Sequence, residues 1–194
     1  MAGFFGYEKV QEIITSLSTS PELTDILEIG CYSGVFVEVL RDMGYNAYGI
    51  DINPGMLKLE GMQKGYLRCH DATKLSEYED RLYDIIFTNR VLCSDAIFGQ
   101  LLQQHGALIS EFIRTKSKHL ERLSKEANSI SKERNIQILE AAYHKIKPGK
   151  FFVGVESDGE TFCFDEQEAE TIGYKVLYYI PSQCILQKRN TLVS

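Results

Sequence analysis

Several side chains in the first half of the sequence have the types and spacing to do chemistry. In the stretch DILEIGCYSG, Asp25 to Gly34, an acid, Glu28, interrupts an apolar run, and Gly30 and Gly34 follow with Cys31 and Tyr32 between them. Asp51 stands 21 residues after Gly30, Asp71 follows the run YLRCH, and Asn89 ends YDIIFTN. Glycine in such a turn lets the backbone approach a ligand closely and adopt dihedrals closed to other residues. An acid at the end of the second strand can accept both hydrogen bonds of a ribose diol. A carboxylate after the third strand can accept from an adenine amino group. An adenosine-shaped ligand needs this series of polar strand ends. Tyr32 is the odd member: its ring either borders the site or points away from it.

Such residues act together only if a scaffold aligns the strand ends. DILEIG, NAYGID, YLRCH and YDIIFTN read as four strands joined by helical or loop connections. Ahead of them, YEKVQEIITSLS spaces Val10, Ile13, Ile14 and Leu17 as a helix that Pro21 closes. GVFVEVLRDMG is a helix with Val35, Val39 and Leu40 on one side and Gly44 as its C-cap, and NPGMLKLEGMQKG holds a shorter one. This alternation predicts an α/β fold, a doubly wound, mostly parallel sheet with helices on both faces. After Asn89 the pattern loosens into a helical insert over about 98–130. There Leu101, Leu108, Phe112, Leu120, Leu123 and Ile130 form one apolar stripe. A second helix, NIQILEAAYHKI, ends at KPGK, a turn into the strand FFVGVE. Asp158-Gly159 makes FFVGVESDGETFCF a hairpin candidate, and GYKVLYYI and CILQKR pair last.

Composition bounds the function. The chain is 44% hydrophobic and 25% charged, an ordinary globular make-up, and one domain over 1–194 is expected. A formal net charge of −6 disfavours nucleic acid as a partner, since that requires a basic footprint. No apolar run reaches membrane-spanning length, so no membrane association and a cytoplasmic location are expected. The five cysteines, Cys31, Cys69, Cys93, Cys163 and Cys184, include no C-x-x-C pair and read as buried thiols; no metal site is expected.

The order LEIGCYSG, YGIDINPGML, CHDATKL, YDIIFTNRVL and YHKIKPGKFFVGV resembles the class I methyltransferases that use S-adenosylmethionine. The resemblance runs from about Asp25 to the last strand and leaves 98–130 unmatched. The family's first motif is an acid, one residue, then glycines at alternate positions; Glu28, Gly30 and Gly34 match it, and Tyr32 replaces the middle glycine. The resemblance implies that Glu28 and the turn Gly30, Cys31, Tyr32 and Gly34 hold the methionine end of the cofactor. It places Asp51 on the ribose, Asp71 with Ala72 on the adenine edge, Ile52 and Met56 on the adenine faces, and Asn89 at the fourth strand end.

Methyl transfer from a sulfonium centre is a direct displacement, and the protein mainly aligns donor and acceptor. No catalytic residue is assigned. TNRVLCSD lacks the Asn/Asp-Pro-Pro-aromatic pattern of enzymes that methylate exocyclic amines in nucleic acids or glutamine amides. Asp95 and Glu156 are too few for a metal-dependent catechol-type site, His105 and His144 are more often structural, and Cys93 is weaker still. The leading expectation is a small-molecule acceptor. The alternatives are a scaffold, or a protein- or RNA-directed methyltransferase using the insert. A dinucleotide oxidoreductase is weaker: GCYSGV lacks the second glycine of G-x-G-x-x-G, and Glu28 would face a pyrophosphate. The insert is expected to form a lid over the acceptor or the seam of a homodimer.

Overall fold

The four strands from Asp25 to Asn89 read from the sequence belong to the parallel part of a seven-stranded sheet in the computed structural model, which describes residues 5–78, 80–92, 101, 118–156 and 161–190. They are β1 (Asp25–Ile29), β2 (Asn46–Asp51), β3 (Leu67–Cys69) and β4 (Tyr83–Asn89). With β5 (Ile146–Val155), β6 (Tyr174–Ile180) and β7 (Gln183–Lys188), the order across the sheet is β3-β2-β1-β4-β5-β7-β6. Neighbours from β3 to β5 run parallel, and β7 lies antiparallel between β5 and β6. The chain winds outward from β1 to β3, then returns to lay β4 on the other side of β1. That reversal opens a crevice at the carboxyl ends of β1 and β4, where ligands of open α/β sheets bind.

Two cores sandwich the sheet. On one face, α1 (Phe5–Leu17) and α2 (Val35–Asp42) bury Val10, Ile14, Phe36, Val37 and Leu40 against Ile26, Ala47, Ile85 and Phe87. On the other, Ile138, Leu139 and Ala142 of α4 (Lys118–Lys145) and Ala169 of α5 (Glu166–Ile172) pack on Leu27, Ile29, Ile86 and Phe152. A five-residue helix, α3 (Leu59–Gln63), precedes β3. Strands buried on both faces must be apolar throughout, which is why DILEI and YDIIFTN read as runs rather than as alternations.

The structure corrects several expectations. The insert and the second helix are not separate: α4 runs unbroken from Lys118 to Lys145, because no proline or glycine interrupts its sequence. Most of the insert, 98–100 and 102–117, lies outside the described residues, and with it Leu108, Phe112 and His105. Of the stripe, Leu101 and Leu123 are buried but Ile130 is 40% exposed. The buried line continues instead through Ala127, Ser131 and Asn135, the i, i+4 path of one helix face. On α2, Phe36, Val37 and Leu40 face the core while Val35 is 39% exposed.

The hairpin is also absent as drawn. Residues 157–160 lie outside the described ones, but Thr161 to Phe164 form no strand, and the antiparallel partner of β5 is β7. GYKVLYYI and CILQKR do pair with each other as β6 and β7. KPGK is a bulge within β5 rather than a turn before it: Tyr83 pairs with Ile146 and Ile85 with Phe151, so Lys147 to Lys150 oppose Asp84 alone. Charge accounts for the bulge, since Lys147 Nζ reaches Asp84 at 2.7 Å and Asp25 at 2.9 Å, and Lys150 Nζ reaches Asp84 at 3.2 Å. The cysteines are mixed: Cys31 and Cys184 are buried, but Cys69 is exposed.

Candidate cofactor site at the carboxyl edge of the sheet

A cleft of about 560 Å³ opens over the ends of β1, β2 and β4, within the size range of small-ligand pockets. Its walls include Gly30 and Tyr32 from the turn after β1, Asp51 and Ile52 from the end of β2, Asp71 and Ala72 past β3, and Asn89 at the end of β4. Seven of the eleven sequence-predicted site residues therefore meet in one cavity.

The turn works through its backbone. Gly30 has φ +73, and a Cβ there would stand 2.5 Å from Val91 Cγ2, so a side chain would both strain the turn and fill the cleft floor. Gly30 and Cys31 N–H groups donate to Ile50 O at 2.8 and 3.0 Å, which carries the β1–β2 pairing one step beyond the strand. Gly34, φ +79, leaves room for Leu67 under the start of α2. Tyr32 also sits at positive φ, +52, the conformation a glycine would take without strain, and its N–H donates to Asp51 Oδ2 at 2.9 Å. Its ring is 58% exposed and stands between the main cleft and a second, smaller apolar cavity of about 250 Å³, with Tyr7 of α1 on both sides.

Glu28 lies beneath the cleft rather than in its wall, only 1% exposed. Among the described residues neither of its carboxylate oxygens has a hydrogen-bond partner, and Asn89 Oδ1 is a third buried acceptor without one. The Tyr7 hydroxyl approaches both residues but completes no hydrogen bond to either; the stack of Tyr7 on Phe36, with centroids 4.4 Å apart, fixes its position. Burial lifts the Glu28 carboxyl to about 8, the Tyr7 hydroxyl pulls the other way, and the charge of Asp51 adds to the rise. Burial and the neighbouring Glu28 also push the Tyr7 hydroxyl upward. Three buried acceptors with no completed hydrogen bond are costly, and a cationic group with N–H donors would satisfy them.

Asp51 is held open toward the cleft by its two backbone donors, Tyr32 N on Oδ2 and Asn53 N at 2.9 Å on Oδ1. Asp71 caps the 3-10 turn Ala72–Glu77: its Oδ1 accepts from Thr73 N at 3.0 Å and Thr73 Oγ1 at 2.9 Å. Burial pushes its carboxyl up, but the Thr73 bonds and the nearby Lys74 and Arg134 charges outweigh it and hold the group below the usual range. Two acids at successive strand ends, each with lone pairs left over, can take a diol and an amino group.

Four predicted residues stand apart from the cleft. Glu28 is below it; Cys31 packs against Gly49 and borders only the smaller cavity; Gly34 serves helix–strand packing; and Met56, 39% exposed, is not in the wall. Sequence reading missed Tyr7, His70, Arg90, Val91 and Arg134. His70 adjoins Asp71 and could have been found by proximity. Tyr7 and Arg134 lie on helices whose facing was not legible. His144 is exposed in the last turn of α4 and is not part of the cleft. No group of three or more metal-binding side chains occurs among the described residues.

Residues 27–110 match the model of a family described as a methyltransferase domain. No curated protein matches the sequence. Among solved structures, a SAM-dependent methyltransferase from Methanosarcina mazei aligns over 92% of this chain and 98% of its own, at 16% identity and TM-score 0.57. Magnesium protoporphyrin IX methyltransferase from Synechocystis PCC 6803, crystallised with bound SAH, aligns over 95% of this chain and 81% of its own, at 13% identity and TM-score 0.54. N-methyltransferase NodS from Bradyrhizobium japonicum WM9 aligns over 95% and 97%, at 16% identity and TM-score 0.51. At these identities the likeness is one of fold.

Proposed function

Taking the chain as a class I, Rossmann-like S-adenosylmethionine-dependent methyltransferase by its fold and its methyltransferase-domain segment, we propose that the cleft binds S-adenosylmethionine and passes its methyl group directly to a small molecule. The observation that carries this reading is the trio of buried, partnerless acceptors on Glu28 and Asn89 beneath a glycine turn, with Asp51 and Asp71 farther along the same cleft. The residues fit the group. Glu28 would neutralise an ammonium and Asn89 Oδ1 would accept a hydrogen bond from it, the Gly30–Tyr32 backbone would lie against the methionine end, and Asp51 would take the ribose hydroxyls. Asp71 and Ala72 would meet the adenine edge, with Ile52 on a ring face; Cys31, Gly34 and Met56 would act by shaping the turn and rim.

The bound cofactor supplies a sulfonium-activated methyl group. The chain's own residues orient and enclose: Tyr7 and Tyr32 narrow the edge of the cleft beside the turn, and Val91 closes its floor against Gly30. Positioning of this kind supplies most of what a direct displacement needs. The neighbours differ in acceptor, so its class is read from this chain: its net charge of −6 argues for a small molecule over nucleic acid.

Calorimetry with the purified protein tests the reading. S-adenosylmethionine and S-adenosylhomocysteine should bind and NAD should not. Asp51→Ala should weaken binding by about 1.5–3 kcal/mol, because it removes a charged acceptor from the diol. No heat with either sulfur ligand, at a folded wild-type protein, would rule the function out.

A further inference from the structure

Arg90 is the first residue past β4, at the point where the strand order reverses, and it lines the cleft beside Asn89 and Val91. Its backbone is left-handed, φ +63, a conformation that arginine seldom adopts and that persists only where the surroundings enforce it. The surroundings do so from two sides. Arg90 N–H donates to Val155 O at 2.8 Å. Two residues on, Leu92 N–H donates to the buried Glu156 Oε1 at 2.7 Å, and the buried Asn135 Nδ2 donates to Leu92 O at 2.5 Å. The segment 90–92 is thus clamped between β5 and α4, and the point on the cleft wall from which the Arg90 side chain leaves is set by the fold.

The guanidinium itself is exposed and makes no hydrogen bond or ion pair with another described residue. Arg134, reaching the same cleft from α4, differs: its charge acts on Asp71. A guanidinium in this cleft finds no partner in the cofactor's sulfonium or ammonium; the anions it can pair with are the cofactor's own carboxylate and an anionic group of the acceptor, and the affinity for S-adenosylhomocysteine tells the two apart. An acidic chain of net charge −6 repels anions at long range, so an anionic acceptor would need a local cation to hold it. The planar fork of arginine matches carboxylate and phosphate oxygens in pairs.

Resting on the proposed methyltransferase function, we infer that Arg90 anchors an oxyanion of the methyl acceptor. The substrate is then a small molecule bearing a carboxylate or phosphate group, with its remaining body against Tyr7, Tyr32 and Val91. Arg90 binds and orients; Glu156 and Asn135 are positioning residues that act through Leu92.

Benzoate and benzamide, which differ in charge and little in shape, serve as probes. Each is titrated by NMR into the protein, both cofactor-free and saturated with S-adenosylhomocysteine. Benzoate should bind about tenfold more tightly than benzamide, as expected for a charge-assisted pair. Arg90→Gln should erase that preference and Arg90→Lys should keep part of it, with unchanged thermal melting in both variants. The affinity for S-adenosylhomocysteine should stay within about twofold. Equal binding of the two probes to wild type, or a preference that survives Arg90→Gln, overturns the inference. So does loss of S-adenosylhomocysteine binding in Arg90→Gln, which would place the guanidinium on the cofactor's own carboxylate. Failure of the wild-type protein to bind S-adenosylhomocysteine would instead count against the proposed function, while the probe comparison on the cofactor-free protein still reads Arg90.

Discussion

Glu28 is a buried charge-bearing group without a completed pairing: a carboxyl 1% exposed, with no hydrogen bond on either oxygen among the described residues. Its pKa rises from the usual carboxylate range to about 8 on folding, mainly through burial. The folded chain therefore holds a proton that the unfolded chain releases, so this group's contribution is fully present below its unfolded pKa and is lost as pH rises through about 8. In that window each pH unit costs at most about 1.4 kcal/mol. Urea unfolding of the ligand-free protein should show stability falling from pH 5 toward pH 8 by a few kcal/mol at most, roughly as that slope sets. Glu28→Gln should flatten the curve. A slope unchanged in the variant would show that the group ionises freely. A cationic ligand placed against Glu28 would ionise it, so binding of S-adenosylmethionine near pH 7 should release about one proton. Calorimetry in buffers of different ionisation enthalpy measures this, and a proton count of zero would separate Glu28 from the ligand. Tyr32 shows a different residue-scale cost: it adopts the left-handed conformation that glycine takes without strain, and its N–H still serves Asp51.

At the scale of elements, α4 decides how the insert is used. It packs on the 3-10 turn that Asp71 caps, on β5 and on α5, and it delivers Arg134 to the cleft and Asn135 to Leu92. Near its start, Leu123 and Ala127 are wholly buried in the single chain. Leu123→Ala should therefore cost about 2–4 kcal/mol of stability, the range for a cavity left in a packed core. Urea titration at several protein concentrations checks it. A loss under about 0.5 kcal/mol would show this half of the helix to be free, as a lid requires. A loss that varies with protein concentration would point to a second copy.

Across the whole molecule, the two ends of the sheet do different work. The carboxyl edge holds the cleft, while the amino edge holds Asp84, which accepts from Asp25 N at 3.0 Å and pairs with Lys147 and Lys150. Burial pushes the Asp84 carboxyl up, but these partners outweigh it and hold it below the usual range. Its contribution is present above the unfolded pKa and lost as pH falls through the folded one, so acid should weaken this edge. Asp84→Asn should lower stability by about 1–2 kcal/mol, a modest figure because both lysines can turn to solvent. Affinity for S-adenosylhomocysteine should not change, since among the described residues the hydrogen bonds and ion pairs of this cluster reach no residue of the cleft wall. A matching drop in ligand affinity would mean that the two edges are coupled through the sheet.

The sequence by itself determined the strands β1 to β4, their order of appearance and the polar residues at their ends. Those signals are local: apolar runs such as DILEI and YDIIF, a glycine turn, and a polar residue, Asp51, Asp71 or Asn89, at or just beyond the end of a run. Asp51, Asp71 and Asn89 were legible because a parallel sheet puts every such end on one edge. Which side chains would face that edge from elsewhere in the chain was not local information. Tyr7 comes from a helix docked by its stack on Phe36, and Arg134 from a helix whose facing depends on Leu123, Ala127 and Ile138 being buried together. Arg90 lies directly beyond Asn89, yet its place in the cleft wall depends on a segment that Glu156 and Asn135 clamp at Leu92. Those two residues stand 64 and 43 positions from Leu92, and it is tertiary packing alone that brings them to it.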